Sequence, residues 1–125
     1  MNNLIEESGG KVTGWGMALG TETVTNADLA AKMDTSNEWI LERTGISERR
    51  IGGSTSGLAV RAGQQALEMA GVKATEIDLL ILATTTPDEQ VPATSAIVQD
   101  QLGLTCGAMD LNAACSGFVY SLVTG

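Results

Sequence analysis

The chain has 125 residues, 7 basic and 15 acidic side chains, no histidine and 2 cysteines. That length suits one domain with one core, and 43% hydrophobic residues supply the material for it. A formal charge of −8 without a stripe of Lys or Arg argues against nucleic acid. The missing imidazole excludes histidine triads, histidine-based zinc sites and a histidine general base within this chain.

The longest apolar run, Leu79 to Ala83, is far short of the ~20 residues that a membrane helix needs. Met1 to Gly10 carries Glu6 and Glu7 with no basic residue or apolar block, so it does not read as a signal peptide. The expectation is a cytosolic protein without membrane contact. Residues 1–10 read as a flexible leader, and residues 11–125 as the structured part.

In chain order, Lys11 to Leu19 reads as a first strand, with Gly14 and Gly16 weakening it or allowing close approach. Thr25 to Met33 reads as a short helix, with Thr25 and Asp28 at capping-box spacing. Thr35 and Glu38 repeat that device before a second helix over Asn37 to Arg43, which Gly45 ends. Ile46 to Gly53 is polar and reads as a loop or short strand. Gly57 to Ala70 is the clearest helix. Leu58, Ala62, Ala66, Met69 and Ala70 share its apolar face, opposite Arg61, Gln64, Gln65 and Glu68.

Gly71 closes that helix. Asp78 to Thr84 is apolar throughout, the pattern of a strand covered on both faces. A turn-rich loop follows to Pro92, then a helix over Thr94 to Leu102 closed by Gly103, then a strand over Cys106 to Leu111. Asn112 to Cys115 turns into a helix that begins near Ser116. Strands alternating with helices argue for an α/β fold.

Two constellations carry chemistry. In NAACSGFVY, Asn112 to Tyr120, a strand ends, small residues turn the chain, and a helix begins at a cysteine. The geometry is analogous to the nucleophile elbow of hydrolases. The free N–H groups of a helix start favour a thiolate there, as covalent acyl transfer requires. The competing reading of Cys115 is a small buried hydrophobe. Cys106, at the start of a strand with no helix beside it, reads as structural.

Trp39 and Arg43 lie four apart on one helix face, where an indole and a guanidinium plane could clamp a flat base. The competing reading places Trp39 in the core and pairs Arg43 with a carboxylate. Arg49 and Arg50 form a small basic cluster that reads as a solvated loop.

The order of these pieces resembles the β-ketoacyl-acyl-carrier-protein synthase III family, the initiating condensing enzymes of the thiolase superfamily. The matching stretches are GWGMALG, then Asp34 to Ile51 (DTSNEWILERTGISERRI), Ile81 to Asp88 (ILATTTPD) and Asn112 to Phe118 (NAACSGF). The resemblance covers Lys11 to Gly125. It implies a thiolase-like fold, a mixed sheet with helices on both faces, of which this chain would be an incomplete N-terminal half.

It also implies a decarboxylative condensation of an acyl-CoA starter with malonyl-acyl-carrier protein, the first step of fatty-acid or related polyketide synthesis. Cys115 would carry the acyl group, and its backbone N–H would join the oxyanion hole. Trp39 and Arg43 match the pair that sandwiches the CoA adenine, and Thr35 matches a nearby nucleotide contact. Val91 matches a position at the floor of the partner subunit's acyl pocket, so a valine there implies room for branched or medium-length starters. CoA enters as part of a substrate, and no cofactor is implied. A homodimer is implied.

The family's decarboxylating histidine and asparagine belong to its second half, and this chain has no histidine. The resemblance therefore implies a chain that is inactive in condensation by itself. The alternative is a non-catalytic fragment or an acyl-CoA-binding remnant. Strands meant to flank the present ones would be missing, and apolar surface meant for the second half would be exposed. The basic surface that docks the acidic carrier protein would also lie largely in the second half.

Overall fold

The computed structural model describes residues 9–125. The leader expected over 1–10 lies outside them apart from Gly9 and Gly10. The elements in order are β1 (Glu22–Thr25), α1 (Asn26–Ala30), α2 (Asn37–Thr44), β2 (Glu48–Ile51), α3 (Thr55–Ala70), β3 (Leu79–Ala83), α4 (Thr94–Leu102), β4 (Gly107–Leu111) and α5 (Gly117–Thr124). A single turn of 3₁₀ helix precedes β3, and another, Ala114–Ser116, precedes α5.

The strands form two separate pairs. β1 and β2 run antiparallel, with Glu22 opposite Ile51 and Thr25 opposite Glu48. β3 and β4 run parallel, with Leu79 opposite Gly107 and Ala83 opposite Leu111. Such a parallel pair needs a crossover, and α4 supplies it.

Side chains alternate across the β3 strand. Leu80 faces Gly63, Leu67, Leu102 and Leu104 of the α3–α4 layer. Ile81 and Ala83 lie against Gly125 and Gly117 at the two ends of α5. Helices thus cover both faces of the parallel pair.

The core sits between α3, α4 and the parallel strands, where Val60, Val98 and Leu104 are buried. Gly63 lets the two helices approach, since a Cβ there would stand 2.8 Å from Leu102 Cδ1. Ile40 of α2 is buried separately in the small α1–α2 unit. Ser54 caps α3 by accepting from the Gly57 N–H, so the helix starts at Thr55, two residues before the expected Gly57. Gly71 and Gly103 end α3 and α4 at positive φ, 65° and 68°.

Four expectations need correction. Lys11 to Leu19 forms no strand, because no described residue pairs with it. It lies instead along α3: a Cβ at Gly14 would overlap the Ala66 carbonyl, and one at Gly16 the Ala62 carbonyl. Met17 N–H donates to Gln65 Oε1, and Arg61 Nη2 donates to the Leu19 carbonyl.

The helix expected over Thr25 to Met33 is only five residues long, since Thr25 is its cap and closes β1; the Thr25–Asp28 capping box itself is present. The cap of α2 is Ser36 rather than Thr35, because Ser36 holds the extended conformation and its Oγ accepts from the Trp39 N–H at 3.1 Å. Met69 is exposed, not inward. The buried arc of α3 runs from Val60 and Gly63, under α4, to Ala66 and Ala70, under the 11–19 segment, and Met69 falls beyond its edge.

α5 carries Phe118, Val119, Tyr120, Leu122 and Val123 exposed, Val123 to 81%. No described helix is long and apolar enough to cross a membrane.

Candidate active site around Cys115

β4 ends at Leu111, whose carbonyl accepts from the Thr84 N–H at 3.1 Å. Asn112 Oδ1 then accepts from the Ala114 N–H at 3.3 Å, a local turn that folds the chain back on itself. Ala114 takes φ 46°, the left-handed region that few non-glycine residues enter. Cys115 follows directly, at the centre of the 3₁₀ turn that leads into α5. The sharp turn read from the small residues is therefore present.

Cys115 is exposed with a free thiol, which sets aside its reading as a buried small hydrophobe. Its side chain has no hydrogen-bond partner among the described residues, so the backbone alone aims it. Gly117 is buried against β3, where a Cβ would stand 3.2 Å from Ala83 Cβ. A small residue there lets α5 start close to the strand that flanks the elbow. Cys106 is half-buried at the entrance to β4, and Gln99 Nε2 donates to its carbonyl.

Two carboxylates that the sequence reading did not single out hold the frame around the elbow. Asp110, on β4, accepts from the Thr94 N–H at 3.0 Å and the Ser95 N–H at 2.7 Å, and so caps α4. Asp88, in the loop before α4, accepts from the Thr55 N–H at 2.8 Å and the Ser56 N–H at 3.1 Å, and so caps α3. The Asp88 N–H in turn donates to Thr94 Oγ1 at 2.8 Å. Hydrogen bonding from Ser56, opposed by desolvation and helped by the Ser56 and Thr55 N–H groups, holds the Asp88 carboxyl below its ordinary 3.8. The available sequence signal was Ala93, a residue that cannot cap the helix it precedes.

Trp39 and Arg43 share an exposed face of α2, beside the buried Ile40. Trp39 is 52% exposed, so it is not a core residue. The Arg43 guanidinium carbon lies 4.3 Å from the indole centroid, and Nη1 also reaches Glu42 Oε2 at 3.5 Å. In this ligand-free arrangement the guanidinium stacks on the indole itself. The outer indole face is the available platform. Thr35 is half-buried, and its Oγ1 has no hydrogen-bond partner among the described residues.

Arg49 and Arg50 lie on β2, Arg49 half-buried and Arg50 exposed. Arg49 Nη1 donates to buried Asn26 Oδ1 at 2.5 Å, and Arg50 Nε donates to the Gly20 carbonyl at 3.4 Å. Val91 stands 84% exposed in the loop between Asp88 and α4. The structure thus groups Trp39, Arg43 and Thr35 on and just before α2, and puts Val91 on the loop that Asp88 anchors.

No family model matches the chain. It is 56% identical over 117 residues to a β-ketoacyl-[acyl-carrier-protein] synthase III of Bradyrhizobium diazoefficiens, an alignment covering 90% of this chain and 36% of the relative. A solved 3-oxoacyl-[acyl-carrier-protein] synthase III from Aquifex aeolicus matches with a TM-score of 0.89 at 44% identity, over 93% of this chain and 39% of that one. The priming β-ketosynthase of the R1128 polyketide pathway matches with a TM-score of 0.85 at 36% identity, over 91% of this chain and 35% of that one. The chain therefore spans little more than a third of the length of the relatives it matches.

Proposed function

We propose that the chain belongs to the β-ketoacyl-[acyl-carrier-protein] synthase III family, whose thiolase-like fold it shares in part, and that Cys115 is the acyl acceptor of a decarboxylative condensation. The Cys115 thiolate attacks the thioester of an acyl-CoA starter, and CoA leaves as its thiol. Malonyl-acyl-carrier protein then loses carbon dioxide, and the carbanion left behind attacks the acyl-cysteine. The products are a 3-oxoacyl-acyl-carrier protein and the regenerated thiolate.

The observation that carries this reading is an exposed thiol set directly after a left-handed residue, between a strand end and a helix start. A sharp turn of this kind lifts a nucleophile clear of neighbouring side chains. N–H groups at the turn favour the oxyanion of the tetrahedral intermediate. The outer face of Trp39, with Arg43 and Thr35 beside it, receives the adenine of CoA. CoA enters as part of the substrate, so no resident cofactor takes part. The setting is the cytoplasm and the assembly a homodimer, in which Val91 closes the partner subunit's acyl pocket. Valine is smaller than an aromatic, so branched and medium-length starters are accepted; strict use of acetyl-CoA, with longer primers inert, contradicts this.

Decarboxylation calls for a histidine, and this chain has none. By itself it stops at the acyl-cysteine. That same absence favours a second reading, an acyl-CoA-binding remnant with a reactive thiol. Incubation with acetyl-CoA and malonyl-acyl-carrier protein separates the possibilities. An acylated Cys115 without 3-oxoacyl product fits the half-reaction. A condensation product contradicts the need for histidine, and tight CoA binding without acylation favours the remnant.

A further inference from the structure

We infer that Asp110 is a positioning residue for Cys115, an inference that rests on the acyl-acceptor reading above. The thiol has no partner of its own among the described residues, so its direction is set by the frame that carries it. That frame begins at Asp110, opposite Leu82 of β3 and one residue before the end of the β3–β4 ladder. Its two carboxylate oxygens take the first two N–H groups of α4. Thr94 and Ser95 are fully buried, so water cannot replace the carboxylate there. Ala93 offers no local cap.

The carboxylate therefore fixes the height of β4 against α4, and two further contacts carry that position forward. Leu111 is held to Thr84, and Asn112 to Ala114. Thr94 also receives the Asp88 N–H, so the loop that bears Val91 hangs on the same helix start. One side chain on a rigid strand thus sets both the elbow and the root of that loop. A shift of about 1 Å at a reacting atom costs on the order of 100-fold in rate.

The test is made on the full 125-residue chain with Asp110→Asn, which keeps one acceptor oxygen, and Asp110→Ala, which keeps none. Thr25→Ala, which uncaps α1 far along the chain, controls for lost stability. Iodoacetamide and acetyl-CoA are the probes, and mass mapping reads Cys115 and Cys106 separately across pH. The inference predicts Cys115 slowed from several-fold to ~100-fold, alanine more than asparagine, with a changed pH profile and Cys106 nearly unchanged; Thr25→Ala leaves the ratio of the two rates alone. Parallel changes at both cysteines, or none, overturn it.

If the variants do not fold, hydrogen exchange on the unchanged protein decides. The Thr94 and Ser95 amides must open together with that of Ser116, which donates to the Ala113 carbonyl, and independent opening overturns the inference. An unchanged chain whose Cys115 takes no acyl group sinks the acyl-acceptor reading instead, so the two failures are distinguishable.

Discussion

The Arg43 guanidinium rests 4.3 Å from the centre of the Trp39 indole, one helical turn away on α2. This contact covers one face of the ring and leaves the other to solvent. A planar base stacks there for ~1–3 kcal/mol. Trp39→Ala should weaken CoA binding by that amount, roughly 5- to 150-fold, measured by titration calorimetry. Arg43→Ala should cost less, because the outer face survives. Equal affinities for Trp39→Ala and the unchanged chain contradict the assignment.

The 11–19 segment offers a second test, this time of packing. A methyl group at Gly16 has nowhere to go but into the Ala62 carbonyl. Gly16→Ala should lower stability by about 1–3 kcal/mol, the usual range for an overpacked contact. Thermal unfolding reads the loss. Exchange of the Met17 amide reads its place, since that N–H donates to Gln65. An unchanged melting temperature shows that the segment does not lie along α3.

Asp88 gives the chain an acid limit. Its carboxyl titrates below 3.8, chiefly through Ser56 and then Thr55, so the folded form prefers the carboxylate. A depressed folded pKa contributes stability that is complete above 3.8 and lost as pH falls through the folded value. Asp88→Asn should therefore flatten the stability profile below about pH 4 and change little of its slope near neutrality. Urea midpoints from pH 2.5 to 7 measure this. Parallel profiles for the two proteins contradict it.

Much of this arrangement was legible in the residues, and the gaps have physical causes. α3 announced itself by its helical period and closing glycine, β3 by an unbroken apolar run, and α4 by the glycine that closes it. β1 did not, since Glu22 to Thr25 is polar and mostly exposed, with no apolar alternation to read. Lys11 to Leu19 looked like a strand because side-chain pattern says nothing of whether a neighbouring strand is there to pair.

Thr35 and Ser36 both offer a hydroxyl, and only backbone geometry chooses between them. At the site, the cysteine turn was visible as a run of small residues, and Trp39 with Arg43 as a four-residue spacing. The closed stack was not, because spacing sets a common face but not a side-chain conformation. Asp88 and Asp110 escaped for a different reason. They cap helices 33 and 15 positions away, and no local motif reports so distant a partner.

The central claim is that Cys115 and not Cys106 accepts an acyl group from CoA. The direct measurement is incubation of the chain with isotopically labelled acetyl-CoA, followed by digestion and mass mapping of both cysteines, with Cys115→Ala in parallel. The account predicts a thioester on Cys115, none on Cys106, and no label in the variant. A label confined to Cys106, or one that survives in Cys115→Ala, contradicts it.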